Sequence, residues 1–207
     1  MRVDRPPPGE ELNTGDVTPA RPASSLILVQ EGADAAELLL VQRNPEARFL
    51  GGAWVFPGGS VSADDDGPAA TAVRELEEEA GVRLPADADL IPFSRWVTPA
   101  EVKVRFDTWF FVALAPAGTE PRVDGAECVD WRWIGADDAL EEYARGELSL
   151  VFPTIKHLEQ LAELRTVAAV LEEARSRAET IEAVQPKIVI SDGTAHVLLP
   201  GEPGYDD

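Results

Sequence analysis

The chain has 207 residues, 44% of them hydrophobic, enough for one domain with a sizeable core, with or without an added arm. Thirty-eight Asp and Glu against 18 Lys and Arg give a formal net charge of −20, which repels a nucleic-acid backbone and an anionic membrane surface alike. No apolar run approaches the roughly 20 residues that span a bilayer, and the one cysteine, Cys128, has no internal disulfide partner.

The opening "MRVDRPPPGEELNTGD" lacks the apolar core of a secretory signal, so a reducing cytoplasm is the expected location. Residues 1–23 are rich in Pro and polar side chains without a helical or strand period, and are expected to form a flexible leader. "SLILVQ" and "ELLLVQR", separated by "EGADAA", have the spacing of an antiparallel hairpin. The short run "AWVF" then ends in Pro57, Gly58 and Gly59, a Gly pair that marks either an ordinary turn or a close backbone approach to a ligand. After "SVSADDDGP" the period becomes helical from Ala69 to Ala80.

"RWVTP", "RFDTWFFVALA" and "CVDWRWI" are β-branched and aromatic runs that complete a mixed sheet. "ADDALEEYARG" predicts a short helix stopping at Gly146, and Pro153 opens one or two further helices reaching about Ala178. "KIVIS" and "AHVLLP", around the turn "DGT", are strand-like. This order predicts an α/β (α+β) sandwich whose sheet is mixed and mostly antiparallel, with a main domain at 24–178 and an extension at 179–207.

The segment "RELEEEAGV" places four glutamates within five positions at a helix C-terminus, the negative end of the dipole. On a helical wheel Ala69, Ala72, Val73, Leu76 and Ala80 form the core stripe, and Glu75, Glu78 and Glu79 share an adjoining arc about 100° wide, while Glu77 points elsewhere. No lysine follows four residues behind them, and only Arg74, four before Glu78, offers compensation. Like-charge and dipole terms together cost about 1–3 kcal/mol. A divalent cation such as Mg²⁺, which takes hard oxygen ligands beside phosphates, would offset that cost, although an acidic solvated surface is the competing interpretation.

These residues resemble the Nudix hydrolases, whose box closes with REUxEExGU, U being aliphatic. Arg74, Glu75, Leu76, Glu78, Glu79, Gly81 and Val82 fill its seven specified places. The first half departs: counted from Gly59 the acidic place falls on Asp65, and the loop to Arg74 is one residue longer than usual. The longer loop and an upstream pattern, matched by Leu39, Leu40, Arg43, Arg48, Gly52, Phe56, Pro57, Gly58 and Gly59, resemble the coenzyme A diphosphatase branch, with Val41 and Asn44 as departures. "RWVTPAEVKVRFDTWFF" and "LSLVFPTIKHLEQLA" are more loosely similar to peroxisomal acyl-CoA diphosphatases and their bacterial relatives, although the closing "GYDD" is not a Ser-Lys-Leu peroxisomal address.

The resemblance implies a small-molecule substrate in which a nucleoside diphosphate is joined to another group, hydrolysed with Mg²⁺ or Mn²⁺. Coenzyme A or acyl-CoA is the first expectation; ADP-ribose, NADH or a nucleotide sugar is the second, and a non-catalytic nucleotide sensor the third. It implies Glu78 and Glu79 as metal ligands, Glu75 as a further ligand or as the base orienting water, Gly58 as a carbonyl ligand, and Arg74 as a partner of Glu75. A distal carboxylate is expected from Glu127 or Glu101, with Glu127 preferred. Arg43, Arg48, Gly59 and, more weakly, Arg105 are expected near the substrate phosphates, with surface counter-charge as the alternative for the arginines. His157 and His196 are expected to be structural, Cys128 to be an inert core thiol, and the five tryptophans mostly to pack in the core. Family habit suggests a homodimer.

Overall fold

The computed structural model describes residues 2–3, 11–13, 15–191 and 194–206. In chain order the elements are β1 (Arg2–Val3), β2 (Arg21–Glu31), β3 (Ala36–Arg43), β4 (Trp54–Val55), β5 (Gly58–Ser60), α1 (Gly67–Ala80), β6 (Ile91–Val97), β7 (Phe106–Leu114) and β8 (Cys128–Gly135). There follow α2 (Ala136–Ala144), α3 (Phe152–Leu164), α4 (Val167–Arg177), β9 (Ala183–Val184), β10 (Lys187–Ser191) and β11 (Thr194–Leu198).

Alternation along β2 sets the layers. Leu26 and Leu28 meet α1 on one face together with Leu39, Val41, Phe111 and Ala113, and the helix contributes Ala72, Leu76 and Ala80. Ile27 and Val29 face the other way, where Leu38, Leu40, Phe110 and Val112 pack against Leu158, Leu161, Val170 and Ala174 of α3 and α4. A strand covered on both faces reads as an unbroken apolar run, which is why "SLILV" shows no period of two.

The main sheet runs β4-β3-β2-β7-β6-β9, with β5 added to β2 and β8 to β3. The β2–β7 and β6–β9 pairs are parallel and the others antiparallel, so the expected mixed, mostly antiparallel sheet between helices is observed. Among the described residues, no helix is long and apolar enough to cross a membrane.

Three details differ from expectation. β2 starts at Arg21, inside the stretch expected to be leader, because its parallel ladder with β7 begins there at Phe106. Gly58 and Gly59 form a strand rather than a turn, opposite Ser25 and Ser24. Helix α1 starts two residues early, with Pro68 in its first turn, where a missing N–H costs nothing. The late helical pattern, expected as one or two helices, is two: it breaks into α3 and α4 at Arg165, which takes a left-handed conformation. The tail strands β10 and β11 pair antiparallel and, with β1, make a separate small sheet.

Candidate active site

Helix α1 ends at Gly81, whose φ of 64° suits glycine and whose N–H donates to the Glu77 carbonyl. No basic residue stands in its last turn, so the acidic cluster meets the dipole uncompensated along the backbone. The predicted arc is divided by burial. Glu75 and Glu79 are buried against the sheet at 8% and 2% exposure. The Glu78 side chain is 58% exposed, and Glu77 lies at the surface, paired with Arg83.

Arg74 is a hub. Its Nε and Nη2 donate to both carboxylate oxygens of Asp65 at 2.9 Å, and its Nη1 donates to Glu75 at 2.9 Å and Glu78 at 2.7 Å. Its guanidinium, with the Ser62 N–H and the Thr71 hydroxyl, holds the Asp65 carboxyl well below the usual range. The acidic place of the loop is thereby an anchor for Arg74, and Arg74 orients the two glutamates.

Glu79 accepts from Arg43 Nη1 at 3.1 Å through one oxygen and from the Gly58 N–H at 2.9 Å through the other. Burial nonetheless pushes its carboxyl up to about 7, with further repulsion from Glu75 and Glu127. Burial likewise raises Glu75, opposed by Arg74 and reinforced by Glu78 and Glu127. Gly59 makes room for Glu75: a Cβ there would lie 2.3 Å from its Oε1. Glu127 is fixed by Asp124, which accepts its N–H at 3.0 Å, and by its own carbonyl, which accepts from Asn44 N–H at 2.8 Å.

A cavity of about 390 Å³ is lined by Arg43, Gly58, Gly59, Glu75 and Glu127 at a polar side. Phe49, Leu50, Phe106, Phe110 and Val151 form its apolar side, where the Phe49 and Phe106 rings stand 5.4 Å apart. Arg43 Nε is buried without a hydrogen-bond partner, an orphan donor of the kind a phosphate oxygen satisfies.

Among the described residues, no three His, Cys, Asp or Glu side chains converge closely enough to hold a metal ion as they stand. Arg74 and Arg43 occupy the oxygens that would do so. The donor chemistry still fits a hard divalent cation: the candidate donors are all oxygen, two of the carboxylates are buried, and a cation beside them would relieve their raised proton affinity.

Several expected residues lie elsewhere. Arg105 is buried, and its Nε and Nη1 donate to the carbonyls of Thr98 and Thr18, so it braces the β6–β7 connection instead of facing phosphate. Arg48 is exposed and absent from the cavity wall, although its neighbours Phe49 and Leu50 are in it. Glu101 accepts the Ile188 N–H and ties down the tail, leaving Glu127 as the distal carboxylate at the cavity. Cys128 is buried, and burial raises its thiol, as suits an inert core residue. His157 is buried among Phe56, Phe93, Trp96 and Phe110, with Nε2 2.6 Å from Ser94 Oγ. Trp54 is a core residue, Trp96, Trp109, Trp131 and Trp133 pack against the two cores, and His196 lies on β11 opposite Arg2 and Val189. The aromatic wall escaped sequence reasoning because Phe49 and Phe106 lie far apart in the chain, and nothing local marks their meeting.

Comparison with known proteins adds an independent finding. A family model described as NUDIX domain matches residues 19–154. The putative nudix hydrolase 7 of Caenorhabditis elegans is 28% identical over 192 residues, covering 73% of this chain and 64% of its own length. The acyl-coenzyme A diphosphatase NUDT19 of Homo sapiens is 30% identical over 135 residues, covering 60% of this chain and 36% of its own. The chain thus spans less than two thirds of both relatives. The crystal structure of a NUDIX hydrolase from Alicyclobacillus acidocaldarius superposes with a TM-score of 0.66 at 28% identity, covering 80% of this chain and 98% of that one.

Proposed function

Because the chain belongs to the NUDIX family, we propose that it hydrolyses a diphosphate bond in a nucleoside-diphosphate-linked small molecule, with coenzyme A or an acyl-CoA as substrate. The observation that carries this reading is the meeting of buried Glu75 with Glu127 and the half-satisfied Arg43 at one cavity, with buried Glu79 tied to two of its wall residues, Arg43 and Gly58. The coenzyme A assignment draws on Arg43, Gly52 and the Phe56–Gly59 run, and on the similarity to the human acyl-coenzyme A diphosphatase.

Glu75, Glu78 and Glu79, with the Gly58 carbonyl, would hold Mg²⁺ or Mn²⁺. When bound, the ion neutralises the diphosphate and lowers the pKa of a coordinated water. Arg43 supplies the Nε donor to a phosphate oxygen and so binds and orients the substrate. Glu127, whose N–H is accepted by Asp124 and which precedes Arg43's strand partner Cys128, would accept the proton of the attacking water, a role that its position in the cavity wall supports. Arg74 keeps Glu75 in position from behind.

The test is a panel of coenzyme A, acyl-CoA esters, ADP-ribose and NADH with purified protein and Mg²⁺. Cleavage of coenzyme A or its esters into a phosphopantetheine product and adenosine 3′,5′-bisphosphate is expected. Cleavage of ADP-ribose or NADH with coenzyme A untouched would remove the coenzyme A assignment and keep the chemistry; no cleavage of any would remove both.

A further inference from the structure

A second cavity, of about 110 Å³, lies beside the first. Thr98, Thr108, Phe110 and Pro153 line both, so the two adjoin. The walls of the second are almost wholly apolar: Trp96, Val97, Val102 and Phe152 come from the main domain, and Pro186, Ile188 and Val197 from the tail.

That tail is a built roof. β9 pairs with β6 at Arg95 and Trp96, the Ile188 N–H donates to Glu101, and the Tyr205 hydroxyl donates to the Gln185 carbonyl at 2.6 Å. A purely polar substrate such as ADP-ribose gains little from a chamber whose polar side-chain groups, among the described residues, are Thr98, Thr108 and the indole of Trp96, whereas an alkyl chain gains transfer free energy on entering it.

We infer that Pro186, Ile188 and Val197 close an apolar chamber that receives the hydrocarbon tail of the substrate, so that the enzyme selects a nucleoside diphosphate carrying an acyl chain. This rests on the diphosphatase reading above. Phe110 lines both the cavity that holds the carboxylates and the chamber, and Ile188 of β10 and Val197 of β11 bound the chamber.

Chain length is the variable to measure. With the full chain and Mg²⁺, kcat/KM should rise about two- to fourfold per methylene from acetyl- to hexanoyl-CoA and then level. Val197→Phe should move the levelling to shorter chains. A kcat/KM flat within about twofold from free coenzyme A to octanoyl-CoA, with cleavage intact, would overturn the chamber while leaving the diphosphatase reading in place. If no diphosphate is cleaved, that reading fails and calorimetry with S-octanoyl and S-acetyl pantetheine decides the chamber alone. Heat from the octanoyl compound, weakened by Val197→Phe and absent with the acetyl one, supports it; equal responses, or none from the octanoyl compound, overturn it.

Discussion

Replacing Gly59 by Ala separates two accounts of why glycine stands there. The backbone at Gly59 is not left-handed, so alanine is conformationally allowed, and the nearest obstacle is the Glu75 carboxylate. The added methyl would lie 2.3–2.8 Å from the three carboxylate atoms, and ordinary contact requires the carboxylate to shift by about 1 Å. A misplacement of that size in a catalytic group costs about 100-fold in rate. The fold should hold: alanine in a strand gains about 0.5–1 kcal/mol over glycine, which offsets a loosened Glu75–Arg74 contact. Steady-state hydrolysis and thermal unfolding, measured side by side, should therefore give a kcat lowered about 100-fold and a Tm within about 3 °C of the parent. A Gly59→Ala protein that keeps kcat within about threefold would refute the placement of Glu75 in the catalytic centre.

Three further outcomes are expected. In metal-free protein the Glu79 carboxyl, raised to about 7, contributes stability that is present below the unfolded value of 4.5 and lost as pH rises through 7. Mg²⁺ should accordingly raise Tm by roughly 4–8 °C more at pH 8 than at pH 5.5, worth about 2 kcal/mol, and an equal rise at both would contradict its assignment as a ligand. Burial holds His157 down to about 3, so its neutral form contributes stability above about 6.5 that is lost as pH falls towards 3. His157→Gln should flatten the acid limb of the unfolding free energy by up to one proton, and an unchanged slope would count against a neutral buried ring. Arg105→Met should lower stability by about 2–3 kcal/mol through two lost charged hydrogen bonds while KM moves less than about twofold; a KM raised tenfold at unchanged stability would restore a phosphate role.

The run from Arg74 to Val82, which closes α1, was legible because its residue types are dictated at fixed spacing, and the central strands because both faces are buried. What sequence could not supply was direction. The 100° arc of Glu75, Glu78 and Glu79 straddles the boundary between sheet and solvent, so two turned inward and one stayed wet. Arg43, Arg48 and Arg105 look alike as charges, yet one lines the cavity, one is exposed and one braces a loop. Gly59 was expected to let the backbone approach a ligand, whereas the space it leaves is filled by Glu75. The apolar chamber joins residues from β6, β7, α3 and the tail, contacts that no local pattern records.

Glu78 gives the most direct test of the central claim, because the protein itself places almost nothing on it. Its only side-chain hydrogen bond, among the described residues, is the exposed contact with Arg74, worth at most about 1 kcal/mol to the fold. Release of adenosine 3′,5′-bisphosphate from coenzyme A at saturating Mg²⁺ should fall by at least about 1000-fold in Glu78→Gln, with Tm shifted by no more than about 4 °C. Turnover within about tenfold of the parent would contradict a cation-binding role for the glutamate cluster.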